Sequence, residues 1–252
     1  MVIDTIRLSR RLVRAQLKRP FYIVLAVSQP LIYLIFFGAM FSRIPQAGQA
    51  GISYFMYLTP GMIIMASMFG SAYLAASTLA DAERSLFESI VISPVNRWSI
   101  SMSYVCSNLV PVTLQMLAVV TCGVVIGGYP AGGMAGIAAM LLIGILTALG
   151  FGCASNVAGF LVKRGQYVLS AMNFIVMPLM FMSGMMLTIN SMPLWMQQIA
   201  RFNPVHWAVQ AAQASYNGNW DGVVSPMLTL GAFALASALL MHLTFLRYLV
   251  RR

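Results

Sequence analysis

Residues 98–162 read WSISMSYVCSNLVPVTLQMLAVVTCGVVIGGYPAGGMAGIAAMLLIGILTALGFGCASNVAGFLV, 65 consecutive positions without an Asp, Glu, Lys or Arg. A helix that crosses a bilayer needs about 20 apolar residues, so this run holds two. The cluster Gly127-Gly128-Tyr129-Pro130-Ala131-Gly132-Gly133 divides them, because Gly and Pro at that density end helices and make turns. The run is continuously apolar, whereas the strands of a membrane barrel alternate over about 10 residues. A helix also satisfies its own backbone groups inside lipid. The stretch therefore predicts two membrane helices joined by a tight turn.

The same reading extends in both directions. Charge-free runs cover 20–42, 44–80, 165–200 and 222–246, and each holds one helix. The expectation is an all-α integral membrane fold with six transmembrane helices, at about 21–41, 56–80, 101–126, 134–161, 167–188 and 224–246. They form one domain over residues 1–252. The first apolar stretch, about 21 residues long, exceeds the 7–15 of a cleavable leader and is read as a span. Composition agrees: the chain is 60% hydrophobic and 8% charged, with a mean hydropathy of +0.83, against roughly 25% charged in soluble chains. Those values exclude a soluble globular domain, and also a disordered chain, which is polar and charge-rich. The 20 Gly follow no period of three, which excludes a collagen-like chain. Cys106, Cys122 and Cys153 all fall inside spans without metal-binding spacing, so they read as small apolar core residues and no metal is expected.

The net charge of +10 is a matter of location. With six spans both termini lie on one side of the membrane. The termini and the second and fourth loops carry Arg7, Arg10, Arg11, Arg14, Lys18, Arg19, Arg84, Arg97, Lys163, Arg164, Arg247, Arg251 and Arg252; the opposite side carries only Arg43 and Arg201. Cytoplasmic loops hold the excess of Lys and Arg, so both termini are expected in the cytoplasm. The charge is then a topology signal and implies no nucleic acid.

Three segments outside the spans have character of their own. Residues 1–20 place Arg7, Arg11, Arg14 and Lys18 on one helical stripe beside Ile3, Ile6, Val13 and Leu17, the pattern of an amphipathic helix lying in the membrane interface on anionic lipid. The loop at 81–98 holds three of the five acids, Asp81, Glu83 and Glu88. Within it Leu86, Phe87, Ile90 and Val91 are apolar, Glu83, Arg84 and Glu88 are polar, and Ser93-Pro94 ends the stretch. A short helix with an apolar knob and charged flanks fits a partner's groove, or lies on the membrane. Residues 189–222 read as an external or re-entrant helix pair, the first starting at Ser191 and Pro193, the second over Val205–Ser215 after Asn203-Pro204. Trp195, Trp207 and Trp220 suit an interface.

The absences are equally informative. No G-x-x-x-x-G-K-[ST] occurs, and the only lysines, Lys18 and Lys163, do not follow a glycine, so the chain binds no nucleotide through a P-loop. No H-E-x-x-H or G-x-S-x-G occurs either, no catalytic residue is assigned, and no cofactor is expected. Among ionisable acids and bases only His242 stands at membrane depth, whereas ion-driven pumps use such groups as relays. The polar set inside the spans is Gln29, Asn108, Gln115, Asn156 and Asn173, amides of the kind that bond neighbouring helices. A six-span chain with a docking-type loop and no catalytic group draws its energy from another polypeptide.

At this point the residues resemble the permeases of type-2 ABC transporters, the exporter branch that includes daunorubicin-resistance, nodulation and polysaccharide export permeases. The resemblance covers nearly the whole chain in length, span count and loop order. Three matches carry it: Leu58-Thr59-Pro60-Gly61-Met62 opening the second span, Glu83-Arg84, Glu88 and Ser93-Pro94 in the second internal loop, and Phe202-Asn203-Pro204 after the fifth span. Two departures stand out. Ser85-Leu86-Phe87 replaces the family's Gly-Thr-Leu, and Gln213 replaces an arginine often found about ten residues after Asn-Pro.

The resemblance implies a half-transporter in the bacterial inner membrane. Two permease subunits, identical or related, pair with two separate ATPase subunits. The 81–98 loop becomes the coupling helix, with Glu83, Arg84, Leu86, Phe87, Glu88 and Pro94 facing the ATPase. The first, second and fifth spans border the pathway, with Gln29, Tyr33, Asn173 and Met177 as its candidate residues. Asn203 and Pro204 mark the external re-entrant pair. The expected substrate is a hydrophobic drug or lipid-like molecule, since Met172, Met177, Met180, Met182, Met185 and Met186 give the fifth span and its tail a polarisable surface. A polysaccharide fits less well, because the spans offer few ring-stacking residues beside hydroxyl-binding groups. A non-transporting assembly subunit and a polysaccharide permease are the alternatives.

Overall fold

The computed structural model describes residues 9–10, 13, 20–41, 54–83, 97–162 and 165–250. Among them are eight α-helices and no strand: α1 (Pro20–Phe41), α2 (Tyr54–Glu83), α3 (Arg97–Val125), α4 (Gly133–Val162), α5 (Gly165–Phe181), α6 (Leu194–Ala200), α7 (Pro204–Tyr216) and α8 (Asp221–Val250). A single 3₁₀ turn at Ile189–Ser191 precedes α6. Of the amphipathic N-terminal segment, Ser9, Arg10 and Val13 are described and helical; Ser9 Oγ donates to Ser103 O at the start of α3, 3.3 Å away.

Helix α2 is the axis of the bundle. It packs on α1, α3, α4, α5 and α7, most extensively on α4. From Tyr57 to Ser71 every residue is buried. Its apolar residues have no preferred side, and a helix that is apolar all round belongs inside. Helix α8 leans on α4 and α7 and leaves Leu228, Leu235, Leu239 and Leu243 exposed. Such an apolar outer surface suits lipid.

Among the described residues two helical stretches are long and apolar enough to cross a membrane, Gly133–Gly159 and Asp221–Thr244; Val27–Phe41 and Leu109–Val125 are shorter apolar helices. Helix α4 has 30 residues, about 45 Å at 1.5 Å per residue, against a hydrocarbon core of about 30 Å. Four of the six expected spans fall within helices α1, α2, α4 and α8, and the third, 101–126, passes the end of α3 by one residue. The fifth, expected at 167–188, is cut short. Helix α5 ends at Phe181 after 17 residues, roughly 25 Å. Pro178 lies inside it and offers no N–H, and Gly184 adopts φ +76°, the left-handed conformation that ends helices. Residues 182–188 then form turns and not helix.

Candidate functional site

The break after α5 is tied to several elements by side-chain hydrogen bonds. A helix end leaves its last carbonyls without intrahelical partners, and a polar group left unpaired in an apolar setting is costly. Here side chains from three elements satisfy them. Asn203 Nδ2 donates to Leu179 O at 2.6 Å. Ser183 Oγ donates to Met180 O at 2.6 Å. His206 Nδ1 lies 2.7 Å from Ser183 O; because a carbonyl only accepts, Nδ1 carries the proton. Tyr57 OH donates to Gly184 O, and Tyr54 OH donates to Met186 O at 2.8 Å.

Each donor has a local reason to be there. Asn203 is the N-cap of α7: its Oδ1 accepts from Val205 N at 2.9 Å while Pro204 takes the first helical position, where its missing N–H costs nothing. Its amide thus caps one helix and latches the end of another, with the residue 2% exposed. His206 follows three residues later on α7, so one turn of helix presents both groups to the same segment. Tyr54 and Tyr57 open α2 one turn apart. Pro60 lies in the first turns of α2 and removes a backbone donor there. Gly61 beside it lets the turn approach: a Cβ at this position would stand 2.5 Å from Met185 Cγ and 3.1 Å from Met185 O.

Helix α7 ties the remaining pieces together. Gln213 Nε2 donates to Tyr57 O at 3.3 Å, so the residue at the family's arginine position links α7 to α2. Gly132 N donates to Tyr216 O at 2.9 Å, and Tyr216 OH donates to Gly128 O. The glycine-rich turn between α3 and α4, expected as a tight turn, is therefore docked on the end of α7. Burial pushes the Tyr216 phenol up to about 12, which keeps it a donor at any physiological pH. In α6 only Ala200 is buried. Leu194, Trp195, Ile199 and Phe202 are exposed together, and Trp207 Nε1 donates to Arg201 O at 2.9 Å.

The pathway candidates separate into two pairs. Gln29 and Tyr33 are half-buried, one turn apart on α1. Asn173 and Met177 are exposed, one turn apart on α5. Both helices pack on α2 and not extensively on each other. Tyr33 begins a run of rings. It meets Phe37 edge-on at 5.6 Å, Phe37 stacks on Phe41 at 6.0 Å, and Phe41, Tyr54 and Tyr57 follow at 5.5 and 6.2 Å. This chain of five rings is assembled from two helices, and its members pack on one another.

Glu83 is the last residue of α2; Arg84, Leu86, Phe87, Glu88 and Pro94 of the expected coupling loop lie outside the described residues. The amides also depart from expectation. Asn156 Nδ2 donates within its own helix to Gly152 O at 2.8 Å, and the side-chain oxygens of Gln115 and Asn156 have no partner. The donors Tyr54, Tyr57 and His206 were not singled out in the sequence. Their signal is a polar-tipped residue at each helix start facing a break marked by Gly184, which the apolar composition around them hides.

The profile of the ABC-2 type transporter family matches residues 4–217. The chain is 27% identical over 214 residues to ycf38 of Pyropia yezoensis, a transport permease by name, covering 84% of this chain and 73% of that one. It is 22% identical over 227 residues to the daunorubicin resistance ABC transporter permease protein DrrB1 of Streptomyces coeruleorubidus, covering 89% and 80%. It is 24% identical over 172 residues to DrrC of Mycobacterium tuberculosis, by name a doxorubicin resistance ABC transporter permease, covering 68% and 61%.

Proposed function

The chain belongs to the ABC-2 type transporter family, an ABC transporter permease embedded in the membrane, and on that premise we propose that it forms the export pathway for a hydrophobic drug or lipid-like substrate. The observation that carries this reading is the family match over residues 4–217, which runs through α1 to α7. Support for drug export comes from relatives named for daunorubicin and doxorubicin resistance.

In this reading six spans cross the bacterial inner membrane with both termini in the cytoplasm. Two permease copies, identical or related, pair with two separate ATPase subunits, since the chain has no nucleotide-binding motif of its own. The 81–98 loop docks on the ATPase through Leu86 and Phe87, with Glu83, Arg84 and Glu88 at the rim and Pro94 ending the helix. Gln29, Tyr33, Asn173 and Met177 border the pathway. An exposed Asn173 favours this, because an amide facing lipid is costly and one facing a pathway or a partner subunit is not. The α5–α7 junction closes the external end.

The experiment is co-expression with the ATPase subunit of the same system, followed by ATP-dependent uptake of doxorubicin into inside-out vesicles. Uptake that needs both chains and ATP supports the reading. Co-purification of the two chains with no ATP-driven movement of any hydrophobic probe would overturn it in favour of an assembly subunit.

A further inference from the structure

The helices expose two kinds of surface at membrane depth. Helix α3 exposes Val110, Leu114 and Leu117, and α8 exposes Val224, Leu228, Leu235 and Leu239. Among the described residues α3, α4 and α8 expose no aromatic ring, and such aliphatic faces suit acyl chains. Helices α1 and α5 differ. Phe36 on α1 and Phe174 and Phe181 on α5 are at least half exposed, Asn173 is exposed, and Gln29 is half-buried. A side-chain amide turned toward lipid is costly, so these two faces need a cover that brings hydrogen-bonding groups.

The two faces match each other. Gln29 and Phe36 are seven positions apart on α1, and Asn173 and Phe181 eight apart on α5, about 10–12 Å along either axis and within about 80° around it. Tyr54 levels the outer ends of both helices. Its ring meets Phe41, the last residue of α1, at 5.5 Å, and its hydroxyl donates to Met186 O in the turn after α5. With those ends level, each helix carries its amide about two turns below its exposed ring. In the six-span reading both helices run outward from the cytoplasm. Both pack on α2 and not extensively on each other, so within one copy neither face covers the other.

We propose that the cover is a second, identical copy of this chain, with α1 of each copy packed on α5 of the other, Gln29 hydrogen-bonded to Asn173 and Phe36 beside Phe181. A carboxamide both donates and accepts, so each Gln–Asn pair closes its own hydrogen bonds. A two-fold axis along the membrane normal keeps the paired helices parallel and makes the contact twice, each residue meeting its counterpart on the other copy. One chain carries both halves of the seam, which favours an identical partner over a related permease. Lipid would leave both amides unpaired. The inference rests on the proposed topology, in which α1 and α5 run the same way, and its test needs neither ATPase nor transport.

Full-length protein with Cys106, Cys122 and Cys153 changed to Ser is co-expressed in two tagged forms, one carrying Gln29→Cys and the other Asn173→Cys, and the membranes are oxidised with copper phenanthroline. A disulfide-linked dimer bearing both tags is expected, and none when Leu235→Cys on the aliphatic face of α8 replaces Asn173→Cys. Tyr33→Cys with Met177→Cys, one turn further out, repeats the test should the first pair fail to fold. Without cysteine changes, Asn173→Leu weakens self-association in liposomes roughly threefold to tenfold, the loss expected for two interhelical hydrogen bonds in a membrane. Energy transfer between fluorescent fusions on lipid dilution reads that change, and Leu235→Ala leaves it at the wild-type value. Linkage only between like positions would mean a different seam, and no linkage in either pair would mean that lipid or a related permease covers these faces; both results overturn the proposal. ATP-driven uptake alongside either of them leaves the export reading standing, and a linked dimer without uptake leaves the seam standing alone.

Discussion

Replacing Asn203 with Ala removes two hydrogen bonds made by one side chain, and their separate contributions can be worked out. Loss of the N-cap bond to Val205 N costs about 1 kcal/mol. Loss of the bond to Leu179 O leaves a half-buried carbonyl without this donor, about 1–3 kcal/mol. Together Asn203→Ala destabilises by about 2–4 kcal/mol, which for a chain of this length lowers the midpoint by roughly 5–10 °C. Asn203→Ser separates the two contributions. Serine is an equally good cap, but its shorter side chain does not reach the end of α5. It should lose only the second contribution and fall between Ala and wild type. The assay is thermal unfolding of the purified protein in one detergent at one scan rate, followed by tryptophan fluorescence. If Asn203→Ala melts within about 1 °C of wild type, below the effect of an ordinary surface substitution, the latch carries no energy. If Ser matches Ala, the cap alone matters and the tie to α5 does not.

A reporter fused after Arg252 should read cytoplasmic and one inserted near Gly48 external; a cytoplasmic signal at Gly48 would overturn the proposed topology. Gln29→Leu should change the order of substrates transported while leaving assembly with the ATPase intact; an unchanged order across every substrate tried would make Gln29 a packing residue. Phe87→Ala should weaken co-purification with the ATPase by roughly thirtyfold, the usual loss for a buried aromatic anchor, and more than Glu83→Ala at the rim. Wild-type assembly and stimulated ATP hydrolysis in both Phe87→Ala and Glu88→Ala would assign coupling to another segment.

The helices were legible because lipid makes their sequence plain. Runs without a charge cover α1 and α4 and most of α2, α3 and α8, and Gly127–Gly133 marks a turn that the structure also has. The end of α5 was misplaced for a physical reason. Residues 182–187 are Met-Ser-Gly-Met-Met-Leu, apolar enough to continue a span, and only Pro178 and Gly184 announce the break. What stops the helix is a set of donors from positions 54, 57, 203 and 206, and no local pattern encodes partners so far apart in the chain. The same limit explains the amides. Gln115 and Asn156 read as helix-bonding residues, but the oxygens stand unpaired against packed neighbours, a matter of three-helix geometry invisible to spacing.

Two of the motifs that carried the family resemblance turn out to be halves of one device. Pro60-Gly61 and Asn203-Pro204 are separated by most of the chain, and each has a local explanation in helix chemistry. The prolines occupy or free backbone positions, Gly61 thins the surface of α2, and Asn203 caps α7. In space both act on the same turn. Gly61 admits Met185 against the backbone of α2, Tyr54 and Tyr57 just before it hold the carbonyls of Met186 and Gly184, and Asn203 and His206 hold those of Leu179 and Ser183. A helix broken at this depth needs every freed carbonyl paired, and no single element could supply donors on both sides of the break. The pairing therefore requires α2 and α7 to flank the turn at fixed distances. A displacement of either helix unpairs backbone groups from the other, so α2, the turn after α5 and α7 form a unit whose parts cannot shift independently without losing hydrogen bonds.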